Sequence, residues 1–343
     1  MAFANTTGTR IINFEDIEGI IAEQNIDVQI NQNDRLKSKV GFADLKRTIK
    51  DLEDDLEDID SQRDQLRGDP DTDTDPDKFS QVIALGAEKR ILLDTLKQLE
   101  RNVVDRPTLE AMTDLQASMS DDSQTRFAES IFIAYNQLKL GSTDISLGRK
   151  TIENQLAAMQ LQESLGMISR NNMNDLKTKL VDMQTKLEST KLQQELFERQ
   201  LKNALNDQEN TLVIGSVPSV NEELIIEDEE ADLKKALENS YTIKLQEQQI
   251  VSLQTVLDRA KKDNGLSSNQ YKGANYELTN ANLKLTQLKD TLKSDYYTMI
   301  DDIVKMQSNL RLAEQSLEDH PQSTGDIRGF ILTFAIFNAN FVL

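Results

Sequence analysis

The apolar spacing between Leu278 and Leu317 constrains this chain more than any other feature. The apolar or small positions run Leu278, Ala281, Leu285, Leu288, Leu292, Tyr296, Met299, Ile303, Met306, Leu310, Ala313 and Leu317. Eleven steps over 39 residues give a mean of 3.55, close to the 3.5 of a coiled coil. A helix carrying that seam is about 60 Å long at roughly 1.5 Å per residue. So narrow a stripe does not hold a lone helix together in water, and the spacing therefore predicts partner helices.

Composition agrees with long helices and little else. Thirteen Gly and five Pro among 343 residues are far fewer than the roughly 12% these two types make up in ordinary proteins. Tight turns are correspondingly scarce, which argues against an all-β or short-looped α/β fold. Aromatics are 5% and Trp is absent, so the core is thin and aliphatic. The expected fold is all-α: long antiparallel helical hairpins with coiled-coil packing, and no evident transmembrane β-strands. A net charge of −20 leaves no basic surface to displace counterions from phosphates, which argues against a nucleic-acid partner. Zero Cys and a single His, His320, remove disulfides, thiolate metal sites, cysteine nucleophiles and His-based triads.

A second stretch repeats the heptad. Subtracting 165 from the seam lands on Phe127, Ile131, Ala134, Leu138, Gly141, Ile145, Gly148 and Ile152, all apolar or small. Upstream, Glu23–Ile30 lies over Glu238–Leu245 at an offset of 215. The chain reads as a duplication whose first copy carries extra residues. A helix starting near Ser123 ends at Leu165-Gly166. Another begins near Asn172 with Met173, Leu176, Leu180, Met183, Leu187, Leu201 and Leu205 in register. Two long helices joined by a short turn pack antiparallel, and Gly166 supplies the turn. The tip then presents Met167 and Ile168, either packed back on the hairpin or offered to another protein.

The extra material includes the acidic run Asp51–Asp60 and the loop DPDTDTDPD at 69–77, where Pro70 and Pro76 are expected to stop helices. Alternating Asp resembles the start of a calcium loop, but the sixth position is not Gly and the twelfth is Ser80 rather than Glu. A solvated acidic loop is the favoured reading, and no metal ligand is assigned. At the start, Ala2-Phe3-Ala4 followed by Asn5-Thr6-Thr7 reads either as the remnant of an export signal or as a disordered start. At the other end, Phe330–Leu343 is FILTFAIFNANFVL, with no charged residue after Arg328. It is too short for a spanning helix. It reads as a truncation or frame change, or as a β-prone or membrane-touching tail. These signals divide the chain into a disordered N-terminal remnant (1–12) and a first helical repeat (13–210), with acidic loop 68–77 and hairpin tip 166–171. A linker (211–227), a second, incomplete repeat (228–319) and an atypical apolar tail (320–343) follow.

A helix opening at Ala236-Leu237-Glu238-Asn239-Ser240, a hairpin turning at Gly-Met-Ile-Ser, a helix starting Asn-Asn-Met-Asn-Asp-Leu and a tandem duplication together resemble the TolC-like outer-membrane efflux family. The resemblance implies a trimer whose helices close a conducting α-barrel. It also implies a hairpin tip, here Gly166, Met167, Ile168 and Ser169, that meets a periplasmic adaptor protein. Family members insert a pair of membrane β-strands after the first helix of each repeat. In this chain those places hold the loop 68–77 and the turn Asn264–Ser268, and neither has the alternating apolar run of about 9 to 11 residues that a membrane strand needs. The chain thus resembles a barrel-less, C-terminally shortened relative, located in the periplasm or outer membrane. The alternative is a coiled-coil spacer or scaffold of a cell envelope or phage. Enzymatic chemistry is not expected. Tyr296-Tyr297 and Asp301-Asp302 sit on heptad flanks, and no catalytic residue or cofactor is assigned.

Overall fold

The computed structural model describes residues 8–69, 71, 74–168, 173–217 and 228–319. Among them the order is β1 (Thr9–Ile12), a 3-10 turn (Phe14–Asp16), α1 (Ile17–Gln24), α2 (Ile26–Gly68), α3 (Pro76–Ser164), α4 (Asn174–Ala204), β2 (Thr211–Ile214), α5 (Glu229–Asn239), α6 (Tyr241–Asn264) and α7 (Asn269–Asp319). The fold is all-α, with β1 and β2 forming one two-stranded parallel ribbon. The seam read from the sequence is the face that packs: from Leu278 to Leu310 each of its members is buried or half-buried. In the first copy the same holds from Ile131 to Ile152, while Phe127 faces solvent.

Four local readings change. Residues 9–12 are part of the stretch read as a disordered remnant, yet they form β1, and Ile12 is fully buried. The stretch 211–227 read as a linker opens with β2, its partner. Strand pairing across some 200 residues leaves no local trace, and four-residue strands are too short to show a period. The helix expected from about Ser123 begins instead at Pro76. Pro76 does not stop a helix. It occupies the first helical position, where its missing N–H costs nothing, and the Asp75 carboxylate accepts from the N–H groups of Asp77 (2.9 Å) and Lys78 (3.4 Å) as the cap. Pro107 lies inside α3. Pro70 lies outside the described residues.

The chain forms two compact units. One draws on residues 30–119 and 238–290 and is made of helical hairpins. Helix α2 runs antiparallel to α3: Lys89 pairs with Asp60, Arg106 donates to Ser38, and Arg35 donates to Ser118 at 3.1 Å. Helix α6 runs antiparallel to α7, with Gln246 Nε2 donating to the Ala281 carbonyl at 3.0 Å and Lys289 pairing with Glu247 at 3.3 Å. Ion pairs tie α3 to α6. Arg259 grips both oxygens of Asp105 at 2.7 Å and the Arg101 carbonyl at 3.1 Å, and Arg101 pairs with Asp263. A planar guanidinium matched to a carboxylate is the geometry in which such a pair is strongest.

The other unit draws on the described residues within 1–29, 120–237 and 291–343, and contains two cores of the same design. In the first, Ile17, Ile20 and Ile21 of α1 share a core with Ala128, Ile131 and Phe132 of α3, and Tyr135 packs against it. In the second, Leu233, Ala236 and Leu237 of α5 share a core with Tyr296, Met299, Ile300 and Ile303 of α7. The two α3 and α7 quartets lie 168 residues apart, position by position, and the α1 and α5 triplets 216 apart. The offset of 165 expected from the heptads alone is therefore three residues out. A heptad pattern fixes which face packs but slides freely by a turn along the helix axis.

Candidate functional site: the tip of the α3–α4 hairpin

The hairpin is set by α3 from about Ser120 and by α4, which runs back beside it. A Cβ on Gly148 would lie 3.2 Å from the Met183 methyl, and the described seam residues of α4, Leu176, Leu180, Met183 and Leu187, are half-buried. Helix α3 ends in a Schellman motif. The Gly166 N–H donates to Glu163 O at 2.8 Å, and the Met167 N–H donates to Gln162 O at 2.9 Å. This geometry needs a left-handed residue after the last turn, and Gly166 takes it with φ of 75°. At the far side of the turn Met173 is buried.

Of the four residues expected at the tip, Gly166 makes the turn, Met167 is 71% exposed and Ile168 is half-buried. The expected exposed pair is thus one exposed residue and one partly covered one. Ser169 lies outside the described residues. The structure adds two members that the sequence reading omitted: Leu161 and Leu165, 62% and 63% exposed. Their i, i+4 spacing puts them on one face of the last turn of α3, and that spacing was the available signal. Together with Met167 they form an apolar end with no charged side chain between Gly166 and Ile168. Such a surface can dock an apolar partner.

At the opposite end of α4 the chain is locked by a buried polar junction. Asn206 takes the left-handed conformation, φ 52°, and the Asp207 N–H closes a second Schellman motif on Lys202 O at 3.0 Å. The Asp207 carboxylate is nearly inaccessible. Burial pushes its pKa up, but hydrogen bonds from Asn210 and Arg10 outweigh that and hold it below the ordinary value. Arg10 Nη1 lies 3.0 Å from Asp207 and 3.3 Å from Gln24. Asn25 is buried beside it. Its Oδ1 accepts from the Asp27 and Val28 N–H groups at 2.9 and 3.2 Å, and its Nδ2 donates to Ala204 O at 2.8 Å. One side chain therefore caps α2 and completes the last turn of α4. Ser240 stands 215 residues on and caps α6 through the Ile243 N–H at 3.4 Å.

In the acidic loop Asp69 accepts from the Asp71 N–H at 3.0 Å and pairs with Lys78 at 2.6 Å. Among the described residues no three His, Asp or Glu side chains converge as metal ligands, and no helix is long and apolar enough to cross a membrane. No family model matches the sequence, and no curated protein does. The fold is similar to that of a solved structure described as a membrane protein from Pseudomonas aeruginosa. The TM-score is 0.53 at 9% identity, over 96% of this chain and 86% of that one.

Proposed function

We propose that this chain is a TolC-like component of an export or efflux system, an extracytoplasmic helical protein that oligomerises and docks a partner at the α3–α4 tip. The observation that carries the reading is the repeated order of elements. A short helix, a capped break, a long helix, a turn and a second long helix occur twice, and the first copy continues into a return helix through an apolar tip. The similar fold of a protein described as a membrane protein is consistent with an envelope location. The exposed Leu161, Leu165 and Met167 suit an adaptor protein that meets the tip through its own apolar surface.

A second reading, a coiled-coil spacer or scaffold, draws on one specific feature. Where the family places membrane strands this chain has the acidic α2–α3 loop and the short turn at Gly265 to Ser268. Light scattering over a wide concentration range separates the two. The export component forms a particle of three times the chain mass, most simply a trimer. A monomer throughout, or an extended dimer, overturns the export reading.

A further inference from the structure

Within the unit of helical hairpins, α6 meets only part of α3. It ends at Asn264, and near that end Asp263 pairs with Arg101 and, at 3.8 Å, with Lys97. From Lys97 back to its start at Pro76, α3 runs on for another 21 residues, about 32 Å. Helix α2 packs on one side of that stretch, through the Asp60–Lys89 and Asp69–Lys78 pairs. The side that α6 meets carries Lys97, Arg101 and Asp105. Continuing from Lys97 toward Pro76 in steps of three and four gives Asp94, Arg90, Ala87, Ile83 and Phe79, and such steps stay on one face of a helix. Past the end of α6 this face turns apolar and bare: Phe79, Ile83 and Ile91 are 53%, 59% and 66% exposed. With Ala87, also exposed, they stand four residues apart, the kind of ridge that packs into a groove of another helix.

We propose that the ridge Phe79, Ile83, Ala87 and Ile91 docks a basic amphipathic helix of another protein, lying where a longer α6 would have lain. Continuity selects a helix, because the same face of α3 is already a helix–helix interface where α6 crosses it. Charge selects a basic one. Residues 51–77 hold thirteen Asp and Glu against two Arg, and six of those carboxylates stand exposed between Asp51 and Asp58. Arg90 and Asp94, on the ridge's own face, offset each other. A second copy of this chain would set one such acidic end against another, which is repulsive. Lys and Arg flanking an apolar stripe complement it instead. Helix α6 shows the same match on this face, where it brings Arg259 onto Asp105 at 2.7 Å.

The probe is a labelled synthetic helical peptide with Leu at heptad positions a and d and Lys at e and g, titrated with the full-length protein and read by fluorescence anisotropy. Its controls are a scrambled peptide of the same composition and a version with Glu in place of Lys. The basic amphipathic peptide should bind roughly tenfold or more tighter than either control, since only it presents both an apolar stripe and the complementary charge. Ile83→Ser combined with Ile91→Ser should weaken it by roughly tenfold or more. Both side chains stand in solvent, so the double variant opens no cavity, and circular dichroism checks that it folds. Leu161→Ser with Met167→Ser, at the α3–α4 tip, should leave binding unchanged. Absence of binding, equal binding of either control peptide, or wild-type affinity in the Ile83, Ile91 variant overturns the proposal. So does a loss confined to the tip variant, or a particle mass in light scattering that falls when Ile83 and Ile91 are replaced, since a second copy then covers the ridge.

Discussion

Asn25 offers a sharp test of how the two copies are held. Its side chain spans α2 and α4, whereas Ser240 at the equivalent break makes a single long hydrogen bond to its own helix. Asn25→Ala removes the α2 cap, worth about 1 kcal/mol. It also strands the Ala204 carbonyl, a last-turn group with no intrahelical donor, in a site where Ala204 is 7% exposed. Leaving a buried acceptor unmade costs about 1–3 kcal/mol. The sum is about 2–4 kcal/mol, against about 0.5–1 kcal/mol for Ser240→Ala. Asn25→Asp separates the parts: its carboxylate still caps α2, but it presents an acceptor where Ala204 needs a donor, so about 1–3 kcal/mol of the loss remains. Urea unfolding followed by circular dichroism reads the difference as a shift in midpoint at unchanged slope. If Asn25→Ala and Ser240→Ala cost the same, or Asn25→Asp is neutral, the link to Ala204 carries no weight and the reasoning fails.

Other perturbations follow from single contacts. Arg259→Ala removes a bidentate pair whose two side chains are 25% and 32% exposed, and it should lower stability by about 1–2 kcal/mol. That cost should shrink in high salt, as seen in urea midpoints at two ionic strengths. Asp207 has a lowered pKa in the fold, so its contribution is present above the unfolded value of about 3.9 and is lost as pH falls through the folded one. Wild type and Asp207→Asn should therefore differ in melting temperature at neutral pH and converge in acid. Glu129 moves the other way: burial and the nearby Glu18 raise it, with Arg126 opposing. Its charge penalises the fold at neutral pH, and Glu129→Gln should raise the melting temperature there, an advantage that disappears below about pH 4.3. Gly215→Ala places a Cβ 2.8 Å from Asn13 Oδ1 and 3.0 Å from the Ile12 carbonyl. The strand connector must shift, costing about 1–3 kcal/mol, which calorimetry would register.

Periodicity determined that this chain is helical and which face packs in α4, in α7 and in the later half of α3, and Gly166 marked where the tip turns. These are local properties: a side chain's spacing sets its face, and a glycine after the last turn of a helix supplies its left-handed cap. The true offset between the copies, the ribbon joining Thr9–Ile12 to Thr211–Ile214, and the Arg10–Asp207 pair were decided only by tertiary structure. Each depends on residues far apart in sequence meeting in space, and a heptad does not say which turn of its partner it meets. Leu161 and Leu165 fall between these cases. Their spacing and the helix end beside them were in the sequence, but only the packing shows them left 62% and 63% exposed rather than covered in a seam.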